Sequence, residues 1–105
     1  MSSVELRVSS VIPASPNRIF GAWMDERQHS AIAGTRIRID PWIGGRVHGW
    51  DGAVFASHLR LETGRRIALA FRTREFPSDA PDSYVEITLE PAMGGTKVTI
   101  TQKPV

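Results

Sequence analysis

The sequence contains no cysteine. A disulfide framework, a thiolate nucleophile and a cysteine-bound metal are therefore excluded, and any metal site would depend on His29, His48 and His58. These histidines show no two-histidine spacing on one helix face and no flanking cluster of carboxylates. We therefore expect no bound metal and no cofactor.

Long apolar runs are also missing, since none approaches the roughly 18 residues that a membrane span requires. We expect a soluble protein with no membrane partner. The first five residues have neither the basic n-region nor the apolar h-region of a secretory signal, so the expected location is the cytoplasm.

The excess of positive charge is small, because 13 lysines and arginines stand against 11 aspartates and glutamates. The isoelectric point is nevertheless basic, since eleven of the cations are arginines, which do not titrate below about pH 12. Aromatic residues are not interleaved with the arginines in the manner of base-stacking surfaces. The sequence therefore does not favour a nucleic-acid partner.

Catalytic constellations are not recognisable either. The aspartates stand at turns or helix ends, where hydrogen bonds to the backbone account for them. No Gly-x-Ser-x-Gly elbow occurs, and Gly44-Gly45 is followed by a strand pattern rather than by the helix of a phosphate loop. The sequence therefore favours a protein that is not an enzyme.

The chain is long enough for a single domain, expected to span residues 1–105. Alternating apolar residues predict a first strand over about 3–12. Ser15 as N-cap and Pro16 at the first helical position predict a helix with its apolar residues on one face, and a second short helix over about 26–32 ends before Gly34.

Every later segment has the pattern of a strand, and the predicted strands cover about 36–40, 46–50, 53–61, 66–73, 84–90 and 96–102. Asp51-Gly52 is a strong signal for a two-residue hairpin. Across the last loop, Leu89 is expected to pair with Val98 and Ile87 with Ile100. Leu59 and Leu61 are expected to share the apolar face with Ile67, Leu69 and Phe71, with most strand arginines on the other face.

A tight hairpin at Asp51-Gly52 places His48 opposite Phe55, on the face of Ser57 and Leu59. Because that face is predicted to be apolar, His48 and Trp50 are expected to point into a cavity. A longer loop or a bulge would turn both outward and put Val47 inside.

Several short motifs lie in the order found in one family. They are Ala14-Ser15-Pro16 before Ile19-Phe20-x-Ala22-Trp23, Gly44-Gly45, Asp51-Gly52, Phe71-Arg72 followed by Glu75-Phe76-Pro77, Ser83, and Gly95-Thr96-x-Val98. Through them the chain resembles the activator-of-heat-shock-protein-90-ATPase-like branch of the START/SRPBCC superfamily. The resemblance implies an α+β helix-grip fold, in which a curved seven-stranded antiparallel sheet has two short helices after strand one.

The resemblance also implies a non-catalytic module that holds a small hydrophobic or amphipathic molecule on the concave sheet face. The residues expected to line this cavity are Trp23, His48, Trp50, Phe55, Ser57, Leu69, Phe71 and Phe76. Two alternatives remain open. One is a co-chaperone-like domain with a chaperone partner, and the other is an enzyme of the polyketide-cyclase or aromatase type, for which His48 is the only plausible inward acid or base.

Family members continue with a long C-terminal helix that packs into the concave side, whereas this sequence stops at Val105. About ten apolar side chains would then face water, at a cost of roughly 10 kcal/mol. Since soluble monomers seldom expose such patches, we expect a homodimer in which the two concave faces, or an exchanged terminal segment, bury each other.

Overall fold

The computed structural model describes residues 5–49 and 52–103. Its elements run in the order predicted from the sequence: β1 (Leu6–Ile12), α1 (Pro16–Met24), α2 (Glu26–Ala33), β2 (Ile37–Ile39), β3 (Arg46–Gly49), β4 (Val54–Glu62), β5 (Arg66–Thr73), β6 (Ser83–Ala92) and β7 (Gly95–Lys103). Within these ranges, no helix is both long and apolar enough to cross a membrane.

All seven strands form one antiparallel sheet with the order β1-β7-β6-β5-β4-β3-β2. The connection from β1 to β2 carries both helices, so the two strands that flank them in sequence lie at opposite edges of the sheet. This architecture confirms the predicted helix-grip fold.

Capping residues set the limits of the two helices. The Ser15 side chain accepts a hydrogen bond from the backbone N–H of Arg18 at 3.2 Å, and Pro16 occupies the first turn. Asp25 separates the helices and accepts from the N–H of Gln28 at 3.0 Å. Gly34 then ends α2 at φ 74°, a left-handed conformation that glycine adopts without steric cost.

The predicted register of the last two strands is confirmed. Leu89 pairs with Val98 and Ile87 with Ile100, and the hairpin closes around Met93 and Gly94. The side chains of these four pairing residues point to the face that carries the helices and the core, which we call the inner face; the opposite side of the sheet is the outer face.

In the β3–β4 hairpin the predicted pairing is right and the inward placement of His48 is wrong, whereas the alternative with a bulge and with Val47 inside is the arrangement observed. His48 does lie opposite Phe55, but the buried neighbours on the inner face are Val47 and Ala56, with exposed fractions of 4% and 7%. A β-bulge between His58 and Arg60 is the cause, because its extra residue reverses the alternation of side chains along β4.

Leu59 is the extra residue of this bulge, and it is half exposed on the surface rather than part of the apolar face. Leu61 keeps its predicted face, where it pairs with Ile67. The alternation of side chains that holds after the bulge therefore does not continue back to the turn between β3 and β4. As a result, His48, Phe55 and Ser57 all point outward.

The core lies between the inner face and the helices. Phe20 of α1 packs against a buried cluster of sheet residues, and Ile19, Trp23 and Met24 are partly buried against the same cluster. The sheet members of the cluster are Ile37, Ile39, Val47, Ala56, Ile67, Leu69, Ile87 and Leu89.

Candidate ligand groove

An apolar groove of about 520 Å³ lies between the helices and the inner face of the sheet. Its floor is formed by residues of β5, β6 and β7, namely Ile67, Ile87, Leu89, Val98 and Ile100. The helices contribute Ile19, Ala22, Trp23 and Ile32, and the polar residues that reach the groove are Arg18, Gln28 and His29. A surface of this composition suits a small apolar body with a few hydrogen-bonding groups.

Trp23 is held in the groove by contacts with two histidines. Its indole N–H donates to Nε2 of His58 at 3.1 Å. Since indole is only a donor, Nε2 of His58 must be the acceptor, and the ring proton of His58 is therefore on Nδ1. That Nδ1–H donates to the backbone carbonyl of Asp40 at 3.1 Å.

His58 is 1% exposed, and both of its ring nitrogens are engaged in this chain of hydrogen bonds. Burial lowers the pKa of His58 from its ordinary value, because the charged imidazolium would lose its hydration. The backbone of His58 is also hydrogen-bonded to the loop after β2. Its N–H donates to the carbonyl of Gly45 at 2.9 Å, and its carbonyl accepts from the N–H of Gly44 at 2.7 Å.

His29 supports the other side of the indole. Its Nδ1 donates to the backbone carbonyl of Trp23 at 3.1 Å, and the two rings lie 4.4 Å apart at an angle of 49°. Because Nδ1 carries the proton in this bond, Nε2 of the neutral ring is an acceptor. His29 is thus a polar group that lines the groove and can accept a hydrogen bond from a ligand.

Of the eight residues predicted to line a cavity, Trp23 lies in the groove. Leu69 belongs to the buried core on the same face, where it pairs with His58. Phe71 is half-buried on the inner face. Its ring meets that of Phe76 edge-on, with the two ring centroids 6.4 Å apart. Phe76 follows β5 in the loop over 74–82, and Leu69, Phe71 and Phe76 do not line the groove.

Three further predicted residues face away from the groove, because the bulge in β4 places them on the outer face. His48 contacts Phe55 there, with the rings 5.4 Å apart, and Ser57 pairs with Arg46. The placement of His48, Phe55 and Ser57 in the cavity is therefore wrong. Trp50, the remaining predicted residue, lies outside the described residues.

The sequence interpretation missed the roles of His58 and His29. His58 has an even position in a strand whose odd positions include Leu59 and Leu61, so simple alternation turns it outward. No pattern in the sequence marks the bulge that reverses this assignment. His29 could have been found, because it lies six residues after Trp23, in the middle of the short helix that follows α1.

Metal binding receives no support from the arrangement of these histidines. In the ranges that the structure describes, no group of three or more His, Asp or Glu side chains is arranged to hold a metal ion. The chemistry that the groove offers is apolar contact and hydrogen bonding.

Solved structures with the same fold include an HSP90 activator from Plasmodium falciparum. It is 16% identical with a TM-score of 0.86, over 96% of this chain and 73% of the other. The Aha1 dimer from Colwellia psychrerythraea is also 16% identical, with a TM-score of 0.82 over 97% and 77% of the two chains. A protein from Rhizobium leguminosarum is 19% identical, with a TM-score of 0.82 over 97% and 76%.

Comparison with curated protein sequences found no match. A family model, by contrast, matches residues 13–105, which is most of the chain. The matching residues include both helices and six of the seven strands, and they carry every groove-lining residue except Ile12. The chain belongs to the family of activator of Hsp90 ATPase homolog 1-like proteins.

Proposed function

We propose that this protein is a non-catalytic module that binds a small hydrophobic or amphipathic molecule in the groove between its helices and the inner sheet face. The observation that carries the proposal is the groove itself, about 520 Å³ in volume and lined mainly by aliphatic side chains. Apolar contact supplies affinity at such a site, and a few polar groups orient the ligand.

The polar residues favour a ligand with one hydrogen-bonding end. Nε2 of His29 can accept from a ligand hydroxyl, and the exposed side chain of Arg18 can meet an anionic group. His29 thus takes the anchoring role that the sequence interpretation gave to His48.

Native mass spectrometry of the purified protein is the first test, because it reports a retained small molecule and the number of subunits together. A binding assay with the fluorescent amphiphile 1-anilinonaphthalene-8-sulfonate then locates the site. Ile100→Glu places a charge on the groove floor, at a position 38% exposed, and we expect about tenfold weaker binding from the loss of roughly 1.4 kcal/mol of apolar contact.

Ile43→Glu is the matched control, since Ile43 is 67% exposed in the loop before β3 and does not line the groove. It should leave binding of the dye unchanged. Equal binding by both variants and the wild-type protein would show that the groove is not the binding site.

The cyclase or aromatase alternative needs an acid or base that faces the groove. His48 cannot supply it from the outer face, and both ring nitrogens of His58 are already hydrogen-bonded. Among the described residues that line the groove, one ring nitrogen of His29 has no partner and no Asp, Glu or Tyr accompanies it, which suits ligand anchoring. These contacts favour the binding module over the enzyme.

A co-chaperone-like role is the second candidate function. It is favoured by the likeness to the Plasmodium falciparum HSP90 activator, at a TM-score of 0.86. The test is the ATPase rate of a purified heat-shock protein 90 with and without this protein. A rate that does not change at saturating concentrations of the protein would exclude this role.

We propose in addition that the inner face forms a homodimer. Apolar side chains on this face of β1 and β7 remain accessible, with exposed fractions of 48% for Leu6, 51% for Val8 and 38% for Ile100. Val8 and Ile100 pair directly, so the exposed surface is continuous across the two strands. Mutual burial of two such faces is favourable by about 25 cal/mol for each Å² of apolar surface.

A further inference from the structure

The outer face carries a second feature, which is separate from the groove. Arg38 of β2 lies opposite His48 of β3, and these two residues border two adjoining depressions. The first, of about 120 Å³, is completed by Asp40 and Arg46, and the second, of about 270 Å³, by Arg36 together with two glycines. We call Arg36, Arg38, Arg46 and His48 the arginine cluster.

Positive charge in this cluster is only partly neutralised. Arg46 binds Asp40 at 3.0 Å, but neither Arg36 nor Arg38 has a carboxylate within ion-pair distance among the described residues. The pKa of Asp40 is lowered, chiefly by the hydrogen bond from the Arg46 side chain and also by the charges of Arg46 and Arg38. Asp40 is thus engaged by Arg46, and among the described residues it leaves Arg36 and Arg38 without a carboxylate of their own.

The cluster differs from the other ion pairs on the outer face. Arg60 pairs with Glu62, Arg66 with Glu86 and Arg72 with Asp82, one carboxylate to each arginine. Among the described residues, the three arginines of the arginine cluster are accompanied by one carboxylate, and Arg38 borders both depressions, Arg46 the first and Arg36 the second. Such a surface is complementary to an anionic partner.

We propose that the arginine cluster is a docking surface for an acidic, extended segment of a partner protein. Arg36 directly precedes β2 and Arg38 lies within it, two residues further on, and alternate residues of an extended chain are about 6.6 Å apart. A partner segment with carboxylates at alternate positions has the same repeat. Guanidinium groups bind carboxylates through paired hydrogen bonds, which gives the contact direction as well as charge.

The same observations disfavour two other anionic partners. Membrane surfaces recruit clusters of about four to eight cations, whereas this cluster has three arginines with Asp40 among them. Single-stranded nucleic acid binds through aromatic rings that are open for stacking. The nearby ring of Phe55 instead packs edge-on against His48 at 5.4 Å.

Fluorescence anisotropy with a dye-labelled peptide of alternating glutamate and serine tests the proposal on the full chain. We expect binding at low ionic strength that weakens as salt is added, because exposed charges are screened beyond a Debye length of about 10 Å at 0.1 M salt. Arg38→Glu should weaken binding roughly fivefold, since it removes one exposed ion pair and adds repulsion of the peptide carboxylates. Arg38→Gln should have a smaller effect in the same direction.

Arg7→Glu is the matched control. It makes the same change in net charge on β1, at the opposite edge of the sheet, and should leave peptide binding within about twofold. Circular dichroism verifies that each variant is folded. The groove variant Ile100→Glu should also bind the peptide normally, so this test is independent of ligand binding in the groove.

Three results would overturn the proposal. Equal loss of binding in Arg7→Glu and Arg38→Glu would mean that only the net charge matters. Equal binding of a glutamine and serine peptide would mean that carboxylates are not recognised. Tighter binding of oligothymidylate or of phosphatidylglycerol vesicles, with the same dependence on Arg38, would assign the cluster to nucleic acid or to membrane instead.

Discussion

The indole of Trp23 donates a hydrogen bond to the buried imidazole of His58 across 35 residues of sequence, and this contact connects α1 to β4. It orients a groove residue and at the same time satisfies a ring nitrogen that has no access to water. Stability and the shape of the groove are therefore linked at this position.

Trp23→Phe should destabilise the protein by about 1–3 kcal/mol, because Nε2 of His58 is left buried without a donor. Urea unfolding monitored by circular dichroism measures the change. Trp42→Phe is the control, since Trp42 is 58% exposed, and it should change the free energy of unfolding by less than about 0.5 kcal/mol. Similar values for both variants would show that the hydrogen bond contributes little.

The stability should fall as the pH drops below about 6.5, the ordinary pKa of histidine. Burial lowers the pKa of His58 in the folded state, so between the two pKa values the unfolded chain binds more protons than the folded one. The contribution of neutral His58 to the free energy of unfolding is complete above the pKa that histidine has in the unfolded chain. It is lost at up to about 1.4 kcal/mol per pH unit as the pH falls toward the folded-state pKa.

Urea unfolding of the wild type and of His58→Gln between pH 7.5 and pH 5 tests this expectation. Glutamine can keep both hydrogen bonds but does not titrate, so the variant should show a shallower dependence. The lowered pKa values of Asp25 and Asp40 act in a separate and more acidic window, because their contribution is lost only below the ordinary value near 4. If the stability of the wild type and that of His58→Gln depend on pH in the same way, His58 is not the source of the pH dependence.

Arg72→Ala should loosen the loop over 74–82. One guanidinium nitrogen, Nη2, donates to the carbonyls of Pro77 and Ala80 at 3.0 and 2.9 Å, and Nη1 pairs with Asp82 at 3.0 Å. We expect faster amide hydrogen exchange in this loop and a loss of about 1–2 kcal/mol in stability.

Arg60→Ala provides the comparison for Arg72→Ala. The Arg60 pair with Glu62 is longer, at 3.6 Å, and the Arg60 side chain is 53% exposed, so exchange in the loop should remain as in the wild type. Unchanged exchange in Arg72→Ala would show that the loop is held by other contacts.

Gly95→Ala and Gly21→Ala should have opposite effects. A Cβ at Gly95 would meet the backbone carbonyl of Ile12, and the residue has a φ of 149°, so alanine should destabilise the protein by about 1–3 kcal/mol. Gly21 lies in α1 with free space around it, and alanine there should stabilise by about 0.5–1 kcal/mol. Thermal unfolding distinguishes the two, and a stabilising Gly95→Ala would contradict the tight contact between β7 and the end of β1.

Self-association through the inner face is tested by a pair of variants in β1. Val8 and Val11 are similarly exposed, at 51% and 53%, but Val8 points to the inner face and Val11 to the outer face. Val8→Lys should therefore convert a dimer to a monomer in light scattering at micromolar concentration, whereas Val11→Lys should remain dimeric. A wild-type monomer with no bound ligand would refute the proposed dimer.

The sequence by itself determined the order of the elements and much of their detail. Ser15, Pro16 and Gly34 act through their own backbone neighbours, so the limits of the helices followed from local chemistry. The pairing of Leu89 with Val98 was equally accessible, because a short turn joins two strands with clear alternation. The family resemblance also depended on such local motifs in a linear order.

Only the tertiary structure decided which side of the β3–β4 hairpin faces the core. The bulge at Leu59 adds one residue to β4, and since side chains alternate with a period of two, one extra residue exchanges the two faces. His58 is thereby brought beneath Trp23, while His48 joins the arginines outside. Burial of Val47 and Ala56 against the core selects this arrangement, and that selection depends on contacts between residues distant in sequence.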